Sequence, residues 1–187
     1  MYMRRRILIP LLLFIPVFLS GQGTLETEYE RSGFMRTPRY AETMDYCRKL
    51  ADSSPLITMQ SFGKSARGRD LALLIVDRDG LSDPEKIRGK GRIVVLIQAC
   101  IHPGESEGKD AGMMLFRDLV FPNGAVSSAV AGKILDRISI LFIPIFNADG
   151  HERFGPYNRI NQNGPEEMGW RVTANNFNLN RDFMKAE

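Results

Sequence analysis

The amino-acid sequence predicts an α/β fold, in which buried strands alternate with helices that cover a sheet. A β-branched apolar run at residues 93–101 is typical of a strand buried on both faces, and residues 138–145 form a second apolar run. Between them lie two patterns of helical period, one starting at Glu105 and a shorter one marked by Val126, Val130 and Ile134. The first helix is expected to bury Ala111, Met114, Leu115 and Leu119. The order strand, helix, helix, strand is the organisation of an α/β domain.

Further elements are predicted before the first of these strands. Thr37 and Pro38 predict the start of a helix, because a hydroxyl caps free backbone N–H groups and proline is favoured in a first turn. Its buried face is expected to carry Tyr40, Met44, Cys47 and Leu50, which recur at helical spacing. Residues 57–62 and 71–76 have the composition of strands, and the glycine-bearing loop between them predicts a hairpin.

The amino terminus has the pattern of a signal peptide. Three arginines precede an apolar run at residues 7–19, which closes on the small residues Ser20 and Gly21. The run is short for a bilayer span and contains two prolines, so we expect cleavage and no stable membrane anchor. The sequence therefore predicts an exported protein, secreted or periplasmic. Its predicted organisation is a signal peptide at 1–21, a polar segment at 22–35 and part of one domain at 36–187.

The charge balance argues against one class of partner. The full sequence has 25 basic and 22 acidic residues, and removal of the three signal-peptide arginines leaves 22 of each. The basic isoelectric point is therefore an effect of the signal peptide. Without a clustered basic face, the sequence predicts no nucleic-acid partner.

Two cysteines, Cys47 and Cys100, could form a disulfide in an exported chain. However, Cys100 lies inside the first predicted buried strand, where a free thiol packs as a small apolar group. We therefore expect both thiols to be free.

Chemistry-bearing residues follow the first buried strand. His102 and Glu105 flank Pro103 and Gly104, and the proline keeps His102 out of helical geometry, so both side chains can point from one turn into one cleft. Imidazole nitrogen and carboxylate oxygen are both good zinc ligands, and ligands bind at the carboxyl ends of strands in open α/β sheets. The alternative is a capping glutamate beside a hydrogen-bonded surface histidine.

A long loop system rich in Asn, Gly and Arg follows the second buried strand, at residues 155–163 and 175–180. Arg171 and the pair Asn180 and Arg181 lie in it. A guanidinium group is suited to binding a carboxylate through two parallel hydrogen bonds. The alternative is that each arginine is solvated or paired with a neighbouring acid on the surface.

Together these stretches resemble the carboxypeptidase A-like zinc metallocarboxypeptidases. The resemblance covers residues 36–187 and follows the order of motifs in that family. The matching residues are His102-Pro-Gly-Glu105, Asn147-Ala-Asp-Gly150, Trp170-Arg171 and Asn178-Leu-Asn-Arg181, with the loop Ser65-Ala-Arg-Gly-Arg69 before them.

The resemblance implies a mixed, mostly parallel sheet flanked by helices, and one Zn2+ ion bound by His102, Glu105 and a later histidine. It implies that Asn180 and Arg181 bind the terminal carboxylate of a peptide or protein substrate. Arg171 would polarise the scissile carbonyl and stabilise the oxyanion. The implied activity is zinc-dependent removal of C-terminal residues.

Two departures from the family pattern bear on this expectation. Asn178 stands where many members carry an aspartate that supports the first zinc histidine. The third zinc ligand and the general base are expected beyond Glu187, so the sequence is interpreted as the amino-terminal part of a catalytic domain that is inactive alone. The other histidine, His151, is not a ligand position in the family. Alternatives are a non-catalytic module that binds peptide carboxylates, or an amidase or peptidase acting on peptidoglycan stem peptides.

Overall fold

The computed structural model describes residues 25–122, 126–181 and 183, and the predicted signal peptide at 1–21 lies outside them. In chain order the elements are α1 (Glu28–Arg31), α2 (Tyr40–Ser53), β1 (Ile57–Lys64), β2 (Asp70–Val76), α3 (Pro84–Gly89), β3 (Ile93–Gln98), α4 (Glu107–Val120), α5 (Ser128–Leu135), β4 (Ile138–Ile143), α6 (Ala148–His151) and a 3-10 helix (Leu179–Arg181).

The four described strands form one open sheet in the order β1, β2, β4, β3. β1 pairs antiparallel with β2, which pairs antiparallel with β4. β3 pairs parallel with β4, from Ile93 opposite Ile138 to Gln98 opposite Ile143. The prediction of a mixed sheet flanked by helices is confirmed, but two of the three pairings among the described strands are antiparallel, so this part of the sheet is not mostly parallel. The parallel pairing brings the carboxyl ends of β3 and β4 to the same edge of the sheet.

Close packing of α4 on β4 forms the centre of the core. Phe116 of α4 packs against Phe142 of β4 with ring centroids 5.3 Å apart, and both side chains are fully buried. A Cβ atom at Gly112 would lie 2.3 Å from the Phe142 ring, so only glycine allows the helix this close to the strand. This contact fixes α4 and the turn that precedes it relative to the sheet.

The expectation that β3 is buried on both faces is wrong. Ile93 is 65% exposed and Leu96 57% exposed, because β3 is an edge strand of the described sheet. The strand also ends at Gln98 rather than continuing to residue 101. A run of β-branched residues predicts a strand, but it does not distinguish an edge position from a central one.

The short helix marked by Val126, Val130 and Ile134 is present as α5, in which Ala131 and Leu135 are the buried residues. Two other helix predictions need correction. α2 begins at Tyr40 rather than at Thr37 and Pro38. In α4 Leu119 is buried as predicted, but the other buried apolar side chains are Met113 and Phe116, so the inward face is rotated from the predicted one. Apolar residues on both sides of a short helix leave its inward face underdetermined by sequence.

Both cysteines are free and buried, as expected, and burial raises the pKa of each thiol to about 12. The thiols therefore stay protonated at neutral pH. Among the helices of the described ranges, none combines the length and apolar character needed to cross a bilayer.

Candidate functional site

The candidate site lies where the chain leaves β3 and β4 at the same sheet edge. The Phe146 N–H donates to the Ala99 carbonyl at 3.0 Å. The Asn147 N–H donates to the Cys100 carbonyl at 3.1 Å, so the two chain segments stay joined beyond the strands. Cys100 has a φ of 53°, in the left-handed region that non-glycine residues rarely adopt. Strained backbone of this kind clusters at functional sites.

His102 and Glu105 come together on the next turn, as the sequence predicted. The Glu105 N–H donates to the His102 carbonyl at 2.8 Å and closes the turn. The Nδ1 atom of His102 then lies 3.4 Å from the Glu105 carboxylate. His102 is buried and the Glu105 side chain is 41% exposed, so the pair opens to solvent on the glutamate side.

The position of the proton on His102 follows from its other partner. The Nε2 atom lies 3.0 Å from the Oδ1 atom of Asn178, and the same oxygen accepts the Asn180 backbone N–H at 3.2 Å. Because a carbonyl oxygen only accepts hydrogen bonds, Nε2 carries a proton. Nδ1 is the ring nitrogen that faces Glu105, so it is the one that a metal ion held beside the carboxylate would bind.

Arg159 is the side chain that the structure adds to this pair. Its Nη1 atom donates to Oε1 of Glu105 at 2.6 Å. Partial burial acts to raise the pKa of Glu105, but the hydrogen bond and charge of Arg159 outweigh it and keep the pKa below its usual value. A Cβ atom at Gly104 would lie 2.6 Å from the Arg159 side chain, so glycine makes room for this arginine. Glu105 is therefore ionised at neutral pH.

The three other predicted site residues lie at different distances from this centre. Arg171 is half-buried, with Nη1 3.8 Å from Oε1 of Glu105. Asn180 and Arg181 are exposed on the 3-10 helix, and the Arg181 N–H donates to the Asn178 carbonyl at 2.9 Å. Asn178 thus connects the His102 ring to the segment that carries the predicted carboxylate clamp.

His102 and Glu105 have donor atoms of the types that zinc prefers, but they supply only two ligands. His102 offers an imidazole nitrogen and Glu105 an ionised carboxylate oxygen, both typical zinc donors. Within the described parts of the chain, no three His, Cys, Asp or Glu residues are grouped closely enough to hold a metal ion. His151 does not complete the set, since its ring contacts Lys109 and Glu152 instead.

The turn after β4 holds the loop of the β1–β2 hairpin in place. Asp149 in this turn is buried and accepts the Arg69 guanidinium at 2.6 Å, the Arg67 backbone N–H at 3.0 Å and the Ser65 hydroxyl at 2.8 Å. The loop of the β1–β2 hairpin is therefore fixed to the site edge of the sheet. The Arg67 side chain is exposed.

Sequence reasoning did not single out Arg159. The loop at residues 155–163 was noted as long and rich in Asn, Gly and Arg, but its arginine is 54 residues from Glu105 in the chain. Gly104 was the available signal, because a glycine between two candidate ligands indicates a close approach by another part of the chain.

Comparison with known proteins agrees with this geometry. The profile of the zinc carboxypeptidase family matches residues 43–186. Carboxypeptidase 2 of Trichophyton rubrum is 29% identical over 150 residues, which are 79% of this chain and 24% of that protein.

Two solved structures have a similar fold. A metallo-carboxypeptidase from Burkholderia cenocepacia matches with a TM-score of 0.56 and 23% identity, over 79% of this chain and 32% of that one. A metallo-carboxypeptidase from Pseudomonas aeruginosa matches with a TM-score of 0.50 and 20% identity, over 76% of this chain and 32% of that one. The chain spans about a quarter of the curated relative and about a third of each solved structure. Since the family profile covers more than half of the chain, the chain belongs to the zinc carboxypeptidase family.

Proposed function

We propose that the protein is a zinc-dependent exopeptidase that removes C-terminal residues from peptides. The observation that carries this proposal is the position of Asn178. One face of its side chain holds the His102 ring, and its backbone carbonyl accepts the Arg181 N–H. A metal pair and a carboxylate clamp are thus connected through one residue, as removal of a terminal residue requires.

His102 and Glu105 would hold the zinc ion, with the third protein ligand outside the described residues. Bound zinc supplies a Lewis acid at this site. Asn178 keeps the proton of His102 on Nε2 and so leaves Nδ1 free to bind the metal. Arg159 occupies Oε1 of Glu105, so this guanidinium has to share the carboxylate with the ion or move toward the substrate.

Each of the arginines would bind a different group of the substrate. Arg181, with Asn180, binds the terminal carboxylate through charge-assisted hydrogen bonds. Arg171 polarises the scissile carbonyl and stabilises the negative charge that develops on its oxygen, and Arg159 lies close enough to Glu105 to share this role. Water adds to the carbonyl carbon, the C–N bond breaks, and the amine leaves with a proton. The general base is expected outside the described residues.

Two further observations support the substrate class and the location. The metallo-carboxypeptidase of Pseudomonas aeruginosa is in complex with (2-guanidinoethylmercapto)succinic acid, and succinic acid carries the carboxylates that a clamp of this kind would bind. We also propose export, which rests on the signal pattern at residues 1–21. Determination of the amino terminus of the protein recovered outside the cytoplasm tests this.

The test of function compares a blocked dipeptide that ends in a free carboxylate with its C-terminal amide, using the full-length protein with and without a chelator. We expect chelator-sensitive cleavage of the acid and much slower cleavage of the amide. Arg181→Ala should weaken turnover of the acid by about 1.5 to 3 kcal/mol, roughly 10-fold to 150-fold, because it removes a charge-assisted contact. Arg48→Ala is the matched control, since Arg48 is exposed on α2 and, among the described residues, forms an ion pair only with Asp45.

Each other result would contradict a specific part of the proposal. Equal cleavage of the acid and the amide by the parent protein would show that Asn180 and Arg181 do not act as a carboxylate clamp. Turnover that survives complete metal removal would exclude zinc dependence. Tight binding of the acid without any cleavage would identify a binding module in place of an exopeptidase.

A further inference from the structure

A buried chain of three polar side chains lies behind the candidate site. Lys109 is completely inaccessible to solvent, and its Nζ atom donates to the Pro38 carbonyl and lies 3.0 Å from Nε2 of His151. The other ring nitrogen of His151, which is also completely buried, lies 3.1 Å from Oε1 of Glu152. Glu152 in turn accepts the Tyr40 backbone N–H at 2.9 Å. In the part of the chain that the structure describes, neither Lys109 nor His151 makes a hydrogen bond or ion pair with His102 or Glu105.

The hydrogen-bond directions between these three side chains are fixed by Lys109 at one end of the series and Glu152 at the other. Glu152 has a pKa of about 2, lowered mainly by the hydrogen bond from His151, so it is an ionised acceptor. Nδ1 of His151 must therefore carry the proton, and Nε2 accepts from Lys109. Burial lowers the pKa of Lys109, but an amine and an ammonium group both have the two donors that this geometry uses. Burial and the charge of Lys109 also lower the pKa of His151, to about 3.

The chain connects three separate segments. Lys109 lies in the first turn of α4, four residues after Glu105. His151 ends α6 after β4, and Pro38 and Tyr40 lie at the start of α2. Satisfied buried polar networks of this kind hold their members in one arrangement, because any displacement leaves a buried polar group without a partner.

His151 also contacts the segment that carries Arg171. A Cβ atom at Gly169 would lie 2.8 Å from Cα of His151 and 2.6 Å from Cβ of Pro103, so Gly169 fills the space between them. The Trp170 N–H donates to the Gly150 carbonyl at 2.8 Å. The segment of Arg171 is therefore packed at Gly169 between the backbone of His151 on one side and Pro103, in the turn of the metal pair, on the other.

From these contacts we infer that Lys109 and His151 are positioning residues, which hold the His102–Glu105 turn and the 169–171 segment at a fixed separation. They act on the site through backbone packing and contact no ligand. The effect on metal affinity rests on the proposed zinc site, whereas the effect on geometry is independent of any metal. Residues that orient a metal ligand from outside typically change metal affinity by about 10-fold to 100-fold when replaced.

The test uses Lys109→Met, which keeps the apolar stem of the side chain and removes its donors, in the full-length protein. Zinc affinity is measured by competition with a chelator. In the metal-free protein, the imidazole resonances of His102 and the indole resonance of Trp170 report the two site segments. Signals lost in His102→Ala and Trp170→Phe assign these resonances.

Two further variants separate positioning from plain stability. Ser139→Ala removes a buried hydrogen bond at the opposite end of the sheet and serves as the matched destabilised control. His151→Gln keeps an acceptor for Lys109, whereas His151→Leu does not. If Lys109→Met does not fold, the comparison between His151→Gln and His151→Leu tests the inference.

We expect Lys109→Met and His151→Leu to weaken zinc binding by about tenfold or more. Both should shift the His102 and Trp170 resonances, with His151→Gln intermediate and Ser139→Ala close to the parent. Parental resonances in the metal-free Lys109→Met and His151→Leu proteins would overturn the inference. Equal shifts in Ser139→Ala would overturn it as well, because the effect would then be general destabilisation. If the variants shift these resonances but the parent protein binds no zinc, the positioning role is supported and the zinc site is contradicted.

Discussion

The two ends of the β3–β4 pair use the same chemical groups for different purposes. At the amino end, Asp77 is fully buried, and its oxygens accept hydrogen bonds from the Ser139 hydroxyl, the Arg92 guanidinium and two backbone N–H groups. At the carboxyl end, the Glu105 side chain is 41% exposed, and its shortest contact within the described part of the chain is with Arg159 at 2.6 Å. Both ends thus pair a carboxylate with an arginine beside the same two strands.

The difference between the ends lies in how completely the carboxylate is used. Asp77 accepts four hydrogen bonds and has no access to solvent, so its network stabilises the fold and is closed to a ligand. Glu105 has spare acceptor capacity, is open to solvent and faces Nδ1 of His102 across 3.4 Å. A carboxylate that its own chain leaves incompletely bound is available to a ligand. Four predictions test this division.

The largest effect is expected on zinc binding, from substitutions at the carboxyl end of the β3–β4 pair. His102→Ala and Glu105→Ala should each abolish stoichiometric zinc binding in the full-length protein. Loss of a direct ligand should cost more than the 10-fold to 100-fold typical of a residue that only orients a ligand. Metal analysis of the purified variants measures this, and Ser139→Ala should retain the parental zinc content. Zinc retained in either ligand variant would show that other residues hold the ion.

At the amino end, the expected loss is one of stability. Asp77→Ala leaves Arg92 with a weaker, partly exposed partner and leaves two backbone N–H groups without their acceptor, so we expect the free energy of unfolding to fall by about 3 kcal/mol. Denaturant titration measures the loss. Zinc affinity of the folded fraction should stay parental. A weakened zinc affinity would mean that the two ends of the sheet are coupled.

The pH dependence of stability sharpens this prediction. Burial acts to raise the pKa of Asp77, but hydrogen bonds from Ser139 and from the backbone, with the charge of Arg92, outweigh it and lower the pKa. The stabilisation is therefore full above the ordinary aspartate pKa of about 3.9 and is lost as pH falls through the lower folded value. In Asp77→Asn this contribution is absent. Its stability deficit relative to the parent should shrink as the pH falls below about 4, and a constant deficit would contradict the assignment.

The two arginines next to Glu105 give the third prediction. Arg171→Ala and Arg159→Ala should each lower kcat by about 100-fold, the usual cost of removing one donor to a developing oxyanion. The double variant should lose much less than the product of the two, because both guanidinium groups face the same carboxylate oxygen. Steady-state kinetics on a free-carboxylate dipeptide measures all three. A near-parental kcat for Arg171→Ala would assign the oxyanion role to Arg159.

The sequence predicted the parts of the site that are local in the chain. His102 and Glu105 belong to one four-residue turn after a recognisable strand, and Pro103 and Gly104 fix that turn. The strand positions followed from apolar composition, and the mixed sheet followed from the family resemblance. Local composition and spacing carry this information directly.

The contacts between distant segments could not be predicted in the same way. Arg159 reaches Glu105 across 54 residues, and Lys109 reaches His151 across 42. A loop arginine or a helix lysine has no periodic pattern that identifies its partner. The exposure of β3 was also missed, because an apolar run does not indicate which strand ends the sheet. Sequence thus located the candidate ligands, while the groups that contact them required the fold.

The smallest expected effect comes from Asn178→Asp, which replaces an amide by a carboxylate of the same shape beside His102. The carboxylate should accept the Nε2 proton more strongly and make Nδ1 a better zinc donor, so we expect tighter zinc binding by a factor below about ten. The Asn180 N–H keeps its acceptor, and stability of the metal-free protein should change by less than about 0.5 kcal/mol. The opposite exchange, Asp77→Asn, should lower stability and leave zinc affinity unchanged. Competition titrations and denaturant titrations on both variants measure the two quantities. Unchanged or weaker zinc binding by Asn178→Asp would mean that Nε2 of His102 is not the protonated nitrogen, and the metal would then have to approach from the side of Asn178.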